Sequence, residues 1–138
     1  ILTRLVGSEM CIRDSNKSDF IKLDITKENL PESDLMICRD CLIHLSFKSI
    51  KLFFENFKKS KINYLLLTTY KLKDKNKEID NLDIPDGEYR EIDLTRSPFL
   101  LPKPLHEILD KDELNKNSGF NCYLNLYKKN QINELKIK

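Results

Sequence analysis

The sequence predicts an α/β domain built on short parallel strands and closed by an antiparallel pair. Three observations lead there. Leu35–Cys38 and Leu65–Leu67 are apolar runs without polar alternation, as in strands covered on both faces of a parallel sheet. Between them, Phe47, Ile50, Phe54 and Phe57 recur at helical spacing, and Phe53 widens the stripe, so a helix connects the two strands. Near the end, Phe120, Cys122, Leu124 and Leu126 alternate with polar or amphipathic residues, the pattern of a last, half-buried strand.

The chain has 138 residues and a formal charge of +2. That length suffices for one domain with a real core. Its lysines are interleaved with Asp and Glu, which gives a solvated surface rather than a phosphate-tracking stripe, so nucleic acid is not favoured as a partner. No apolar run is long enough to span a bilayer, so no membrane is expected. The four cysteines are Cys11, Cys38, Cys41 and Cys122. Two fall in apolar strands, which points to buried free thiols and a cytoplasmic protein rather than a secreted disulfide framework.

The chain opens on Ile1, not Met, as a piece of a longer protein would. Leu5 to Ser15 reads Leu-Val-Gly-Ser-Glu-Met-Cys-Ile-Arg-Asp-Ser and resembles a peptide translated from sequencing-adaptor DNA. Residues 1–15 are therefore expected to be non-native and are left out of fold reasoning, the alternative being a native, weakly helical N-terminus. Residues 16–138 are expected to form one portion of a single domain.

Phe20–Leu23 reads as a first strand closed by Asp24, and Leu35–Cys38 as a second, opened by Asp34 and closed by Arg39 and Asp40. Ser46 is a candidate N-cap for the helix over 47–60, with Lys58, Lys59 and Lys61 opposing its dipole at the far end. A third strand covers 62–69, joined by a right-handed crossover, with Thr68, Thr69 and Tyr70 emerging beside Arg39 and Asp40. Lys71–Asp83 is charged and aperiodic, an exposed loop. Ile84-Pro-Asp-Gly87 carries turn chemistry. Tyr89–Leu94 alternates, as a short strand pairing antiparallel with 120–127 would. Pro98, Pro102 and Pro104 exclude a regular helix or central strand over 97–104. Leu105–Leu109 reads as a helical turn, 115–119 as a loop, and 130–138 as a frayed tail.

In sheets of this kind ligands bind at the carboxyl ends of the strands. Asp24, Arg39, Asp40 and His44 fall at or just past those ends. Leu23-Asp24-Ile25, Leu30-Pro31, Asp34-Leu-Met-Ile-Cys38 and Leu42-Ile-His44-Leu45 together resemble the class I S-adenosylmethionine-dependent methyltransferases. Asp86-Gly87-Glu-Tyr89-Arg90, Leu94 and Ser97-Pro98-Phe99 resemble a stretch that precedes the final hairpin in some members. The resemblance runs from about Ser18 to Leu126 and implies part of a Rossmann-like sheet, parallel strands followed by a C-terminal antiparallel pair. The family's first strand, Gly-rich loop and ribose-holding carboxylate have no counterpart. The three glycines, Gly7, Gly87 and Gly119, stand outside any strand–loop–helix context. The resemblance thus implies the C-terminal portion of a methyltransferase domain, inactive by itself.

It further implies roles. Asp24 would accept a bond from the adenine amino group of S-adenosylmethionine, the Ile25 N–H would reach the ring, and Arg39 would line the cofactor. Asp40, Tyr89 and Arg90 would line the methyl acceptor, a small molecule, and His44 would be the general base. Each has a bland alternative: Asp24 capping a turn, Arg39 and Asp40 as a local ion pair, His44 as a packed side chain, Tyr89 and Arg90 as hairpin packing. Cys38-Arg-Asp-Cys41 has the CxxC spacing, but a zinc site needs two more ligands, and Cys38 reads as strand, so neither metal nor redox chemistry is expected. A Rossmann-like binding module without catalysis is the alternative from another class.

Overall fold

The computed structural model describes residues 20–111 and 118–137. The adaptor-like segment, Cys11 and part of the 115–119 loop lie outside the described residues.

The chain is α/β. Strand β1 (Leu35–Cys38) leads through a short 3-10 turn (Leu42–His44) into helix α1 (Phe47–Lys59), followed by β2 (Tyr64–Leu72), β3 (His106–Leu109), β4 (Phe120–Lys128) and helix α2 (Lys129–Asn133). The four strands form one mixed sheet in the order β1-β2-β4-β3. As the apolar runs predict, β1 and β2 are parallel, with Cys38 opposite Leu67. Both β2 and β3 run antiparallel to β4. By itself this order is not a clear Rossmann-like arrangement.

Helix α1 forms where its spacing predicts. Ser46 Oγ accepts from the Ser49 N–H at 3.2 Å, and Ile50, Phe53, Phe54 and Phe57 are buried. These side chains share one core with Leu65, Leu67 and Tyr127 of the sheet. Only that face of the sheet is well covered. The alternate residues Leu35 and Ile37 of β1 are 42% and 60% exposed. At its far end, α1 is held by Lys129, whose Nζ reaches the carbonyls of Phe57 and Ser60.

Four expectations are corrected. Residues 20–23 form no strand; they have no ladder partner among the described residues, and Asn56 of α1 instead holds the following turn through the Ile25 and Glu28 carbonyls. Residues 88–94 keep their alternation, with Arg90, Ile92 and Leu94 buried, but are not a strand. Their backbone bonds go to several segments: Arg90 N–H to Ile43, Tyr70 N–H to Ile92, and Leu94 N–H to Thr69 Oγ1. The antiparallel edge pair is therefore β3–β4. Its first member occupies 106–109, where a helical turn was expected, and pairing continues with Leu105 N–H on the Leu126 carbonyl. The tail is not frayed, because α2 and the residue after its cap bury Ile132 and Leu135 against the core.

Candidate functional site

The turn after β1 is the centre of the polar cluster. Asp40 takes a left-handed backbone, φ 51°, uncommon for a residue with a side chain. It is held there by its N–H donating to the buried Thr68 Oγ1 at 2.8 Å. Arg39 points its fork at Asp110, just past β3, with Nε and Nη2 at 3.0 and 3.2 Å from the two carboxylate oxygens. The Arg39–Asp40 ion pair is looser, 3.9 Å. Arg39 thus joins the outer strand β1 to the opposite edge of the sheet. The Arg39 side chain is 45% exposed while that of Asp110 is only 14% exposed, so solvent screens the pair from the Arg39 side.

His44 closes the 3-10 turn. Its Nδ1 lies 2.9 Å from the Glu88 carbonyl. A carbonyl only accepts, so Nδ1 carries the proton in the neutral ring and Nε2 keeps its lone pair. The Tyr89 ring stands 5.8 Å away, tilted. The Tyr89 hydroxyl donates to Glu91 Oε1 at 3.4 Å, and Tyr70 stands opposite Cys122 of β4 in register. Burial pushes the Tyr70 hydroxyl far above its usual range, raises Tyr89 and lifts the Cys122 thiol to about 11. All three stay protonated at neutral pH. The turns after β1 and the end of β2 therefore carry the Nε2 lone pair of neutral His44, the protonated Tyr70 hydroxyl and Cys122 thiol, and the Asp40 side chain.

Asp24 and Ile25 lie elsewhere, in a cleft of about 250 Å³ shared with Ser46, Lys48 and Asp86 at the start of α1. Asp24 Oδ1 accepts from the Thr26 N–H at 2.9 Å and the Thr26 hydroxyl at 2.7 Å, which holds its carboxyl below the usual range. The turn-capping alternative is thus realised in one oxygen. Leu45 and Ser46 also border the cleft, so it adjoins the His44 turn.

Asp83 and Asp86 bring the 81–87 loop onto the same helix start. Asp86 Oδ1 accepts from the Ser46 N–H at 2.7 Å and Asp83 Oδ1 from the Phe47 N–H at 2.8 Å. These carboxylates satisfy donors left over at a helix N-terminus and oppose its positive end. The Ser46 N–H lowers the Asp86 pKa. The folded carboxyl ionises more readily than the unfolded one, so its contribution is complete above the unfolded value, about 4, and is lost as pH falls through the lower folded value. Thermal melts from pH 7 down to about pH 3 should show this loss, and Asp86→Asn should make it smaller.

Arg90 lies against the 3-10 turn. It is 5% exposed, and its guanidinium donates to the carbonyls of Leu82, Leu42, Ile43 and Leu45 at 2.7–3.1 Å. With the Gly87 N–H on the His44 carbonyl at 2.7 Å, it clamps the 3-10 turn to the 82–90 loop. This geometry gives Arg90 a positioning role. Gly87 permits the approach through its left-handed φ of 98°.

The structure places Arg39 and Asp40 at the end of β1, stands Tyr89 beside His44 after the turn that follows, and puts Asp24 and Ile25 in the cleft that Leu45 and Ser46 border. The sequence reading passed over Asp110 and Tyr70 as site residues. Tyr70 had a signal, its place at the end of β2; Asp110 had none, since its role depends on β3. A larger opening of about 450 Å³ lies over Lys71, Asp80, Asn81, Arg96 and Phe120, and among the expected site residues only Arg90 borders it. Among the described residues, no cluster of three or more His, Cys, Asp or Glu is placed to hold a metal ion, and no helix is long and apolar enough to cross a membrane. No family model, curated protein or solved structure matches this chain.

Proposed function

We propose that the chain is the C-terminal portion of a class I S-adenosylmethionine-dependent methyltransferase domain acting on a small molecule. The observation that carries the reading is the position of Arg39 and Asp40 at the carboxyl end of β1 in a parallel strand pair, with His44 beside Tyr89 just after them and the Asp24–Ile25 cleft bordered by Leu45 and Ser46. The antiparallel pair at one edge of the sheet also supports it. Among the described residues, Cys38, Cys41 and Cys122 are buried and in no disulfide, which suits a reducing compartment, the cytoplasm.

The residues present fit the adenine end of the cofactor. Asp24 is held ionised, and both of its bonds fall on Oδ1, leaving Oδ2 to accept from an exocyclic amine. The Ile25 N–H has no partner among the described residues and can donate to a ring nitrogen. When bound, S-adenosylmethionine supplies an electrophilic methyl group. His44 Nε2 would take the proton of an acceptor hydroxyl or amine. The Glu88 carbonyl fixes the tautomer that makes this possible, and Arg90 fixes the turn that carries His44.

Following backbone amide shifts while S-adenosylhomocysteine is added tests this. With only the adenine half of a site, binding should be no tighter than millimolar, several lost contacts at about 1 kcal/mol each weakening it by orders of magnitude. Shifts should centre on 24–26 and 39–46, and Asp24→Ala should abolish them while His44→Ala leaves them in place. Shifts centred on Lys71 and Phe120 instead would overturn the assignment. The second reading, a binding module without chemistry, is favoured by the internal satisfaction of Arg39 and Arg90; it predicts no response to the nucleoside at all.

A further inference from the structure

Cys38 and Cys41 are the corner residues of the turn that carries Arg39 and Asp40. Both side chains are buried, 3% and 7% exposed, whereas Arg39 between them is exposed. The two thiols act on each other's ionisation, Cys38 held up and Cys41 drawn down. Neither is used in the reading above. Corner residues of a four-residue turn hold their Cα atoms within about 7 Å, and a disulfide spans about 4.4–6.8 Å between Cα atoms. The left-handed Asp40, pinned through its N–H to Thr68, fixes the turn whose corners are the two cysteines.

From this geometry we infer that Cys38 and Cys41 are a reversible dithiol–disulfide pair, oxidised by a small peroxide and locking the turn that carries Arg39 and Asp40. The inference stands independently of the methyltransferase reading. The two cysteines have different parts. Cys41 is the more accessible, and the Cys38 thiol lowers its pKa, so it supplies the thiolate. Cys38 is held protonated by Cys41 and by burial.

The chemistry balances with hydrogen peroxide as oxidant. The Cys41 thiolate attacks one peroxide oxygen; an S–O bond forms, the O–O bond breaks, and the departing hydroxide takes up a proton to give water. Cys41 is now a sulfenic acid. The Cys38 sulfur then attacks the Cys41 sulfur. The S–S bond forms as the S–O bond breaks, and the leaving hydroxide takes the Cys38 proton as a second water. Two thiols lose two electrons, and the peroxide gains them. A dithiol reductant reverses the bond by thiol–disulfide exchange.

The intact chain, prepared reduced, is treated with hydrogen peroxide, alkylated and cut with trypsin. Cleavage after Arg39 separates the two cysteines, so the disulfide appears as peptides 28–39 and 40–48 joined into one species. That species should dominate over any linkage through Cys11 or Cys122 and should vanish on reduction. Cys38→Ser should stop the reaction at a Cys41 sulfenic acid that a dimedone probe captures. Cys41→Ser should leave Cys38 alkylatable. Circular dichroism on both serine variants checks that the fold is kept. The inference is overturned if Cys38 and Cys41 both stay alkylatable while Cys11 or Cys122 oxidises. It is equally overturned if Cys41 proceeds to sulfinic acid with Cys38 unlinked.

Discussion

Arg90→Met should destabilise the fold by about 3 kcal/mol, read as a lower urea midpoint at unchanged slope. The reason is the set of groups left behind. The Leu42 and Ile43 carbonyls keep backbone partners, from Leu45 and Arg90 N–H respectively. The Leu45 and Leu82 carbonyls accept only from the guanidinium among the described residues; Leu82 is exposed but Leu45 is buried, and a buried acceptor left unpaired costs about 1–3 kcal/mol. Methionine keeps the apolar stem but none of the donors. Arg90→Lys should recover only part of the loss, since one ammonium cannot reproduce a planar fork over four carbonyls. The guanidinium also stands 5.7 Å from the Phe47 ring, a second contact that methionine gives up. A loss below about 0.5 kcal/mol, the range of ordinary surface changes, would mean that the clamp is dispensable.

Phe53→Ala should cost about 3–5 kcal/mol, the usual range for emptying an aromatic position in a core. Phe53 is fully buried and its ring centroid lies 5.3 Å from that of Phe54 and 6.4 Å from that of Phe57. Removing it opens a void that two rigid rings close poorly. Lys51→Ala, two residues away on the solvent side of the same helix, should stay within about 0.5 kcal/mol. Comparable midpoints for the two variants would show that α1 does not pack on the sheet through this stripe.

The contrast between those two residues locates what a sequence can reveal here. Phe53 was legible as core because helical burial is a local property, repeating every three to four residues. Arg90 was not, because its burial depends on carbonyls at Leu42, Ile43 and Leu45, nearly fifty positions earlier. Tyr89–Leu94 illustrates the same limit. Its alternation correctly places Ile92 and Leu94 inside, yet alternation says nothing about whether one strand or several segments accept its bonds.

The sequence alone determined the parallel pair β1–β2, the helix between them, its Ser46 cap and the last strand, since each rests on periodicity or on one residue's chemistry. It also placed Arg39, Asp40 and His44 at the strand ends, by position after an apolar run. Only the tertiary structure decided that 106–109 pairs with β4, that Arg39 reaches Asp110, and that His44 is oriented by the Glu88 carbonyl. The two side-chain contacts join residues 71 and 44 positions apart in the chain. No local pattern encodes such a partner, because which backbone and side-chain groups remain unpaired is settled only when the sheet has assembled.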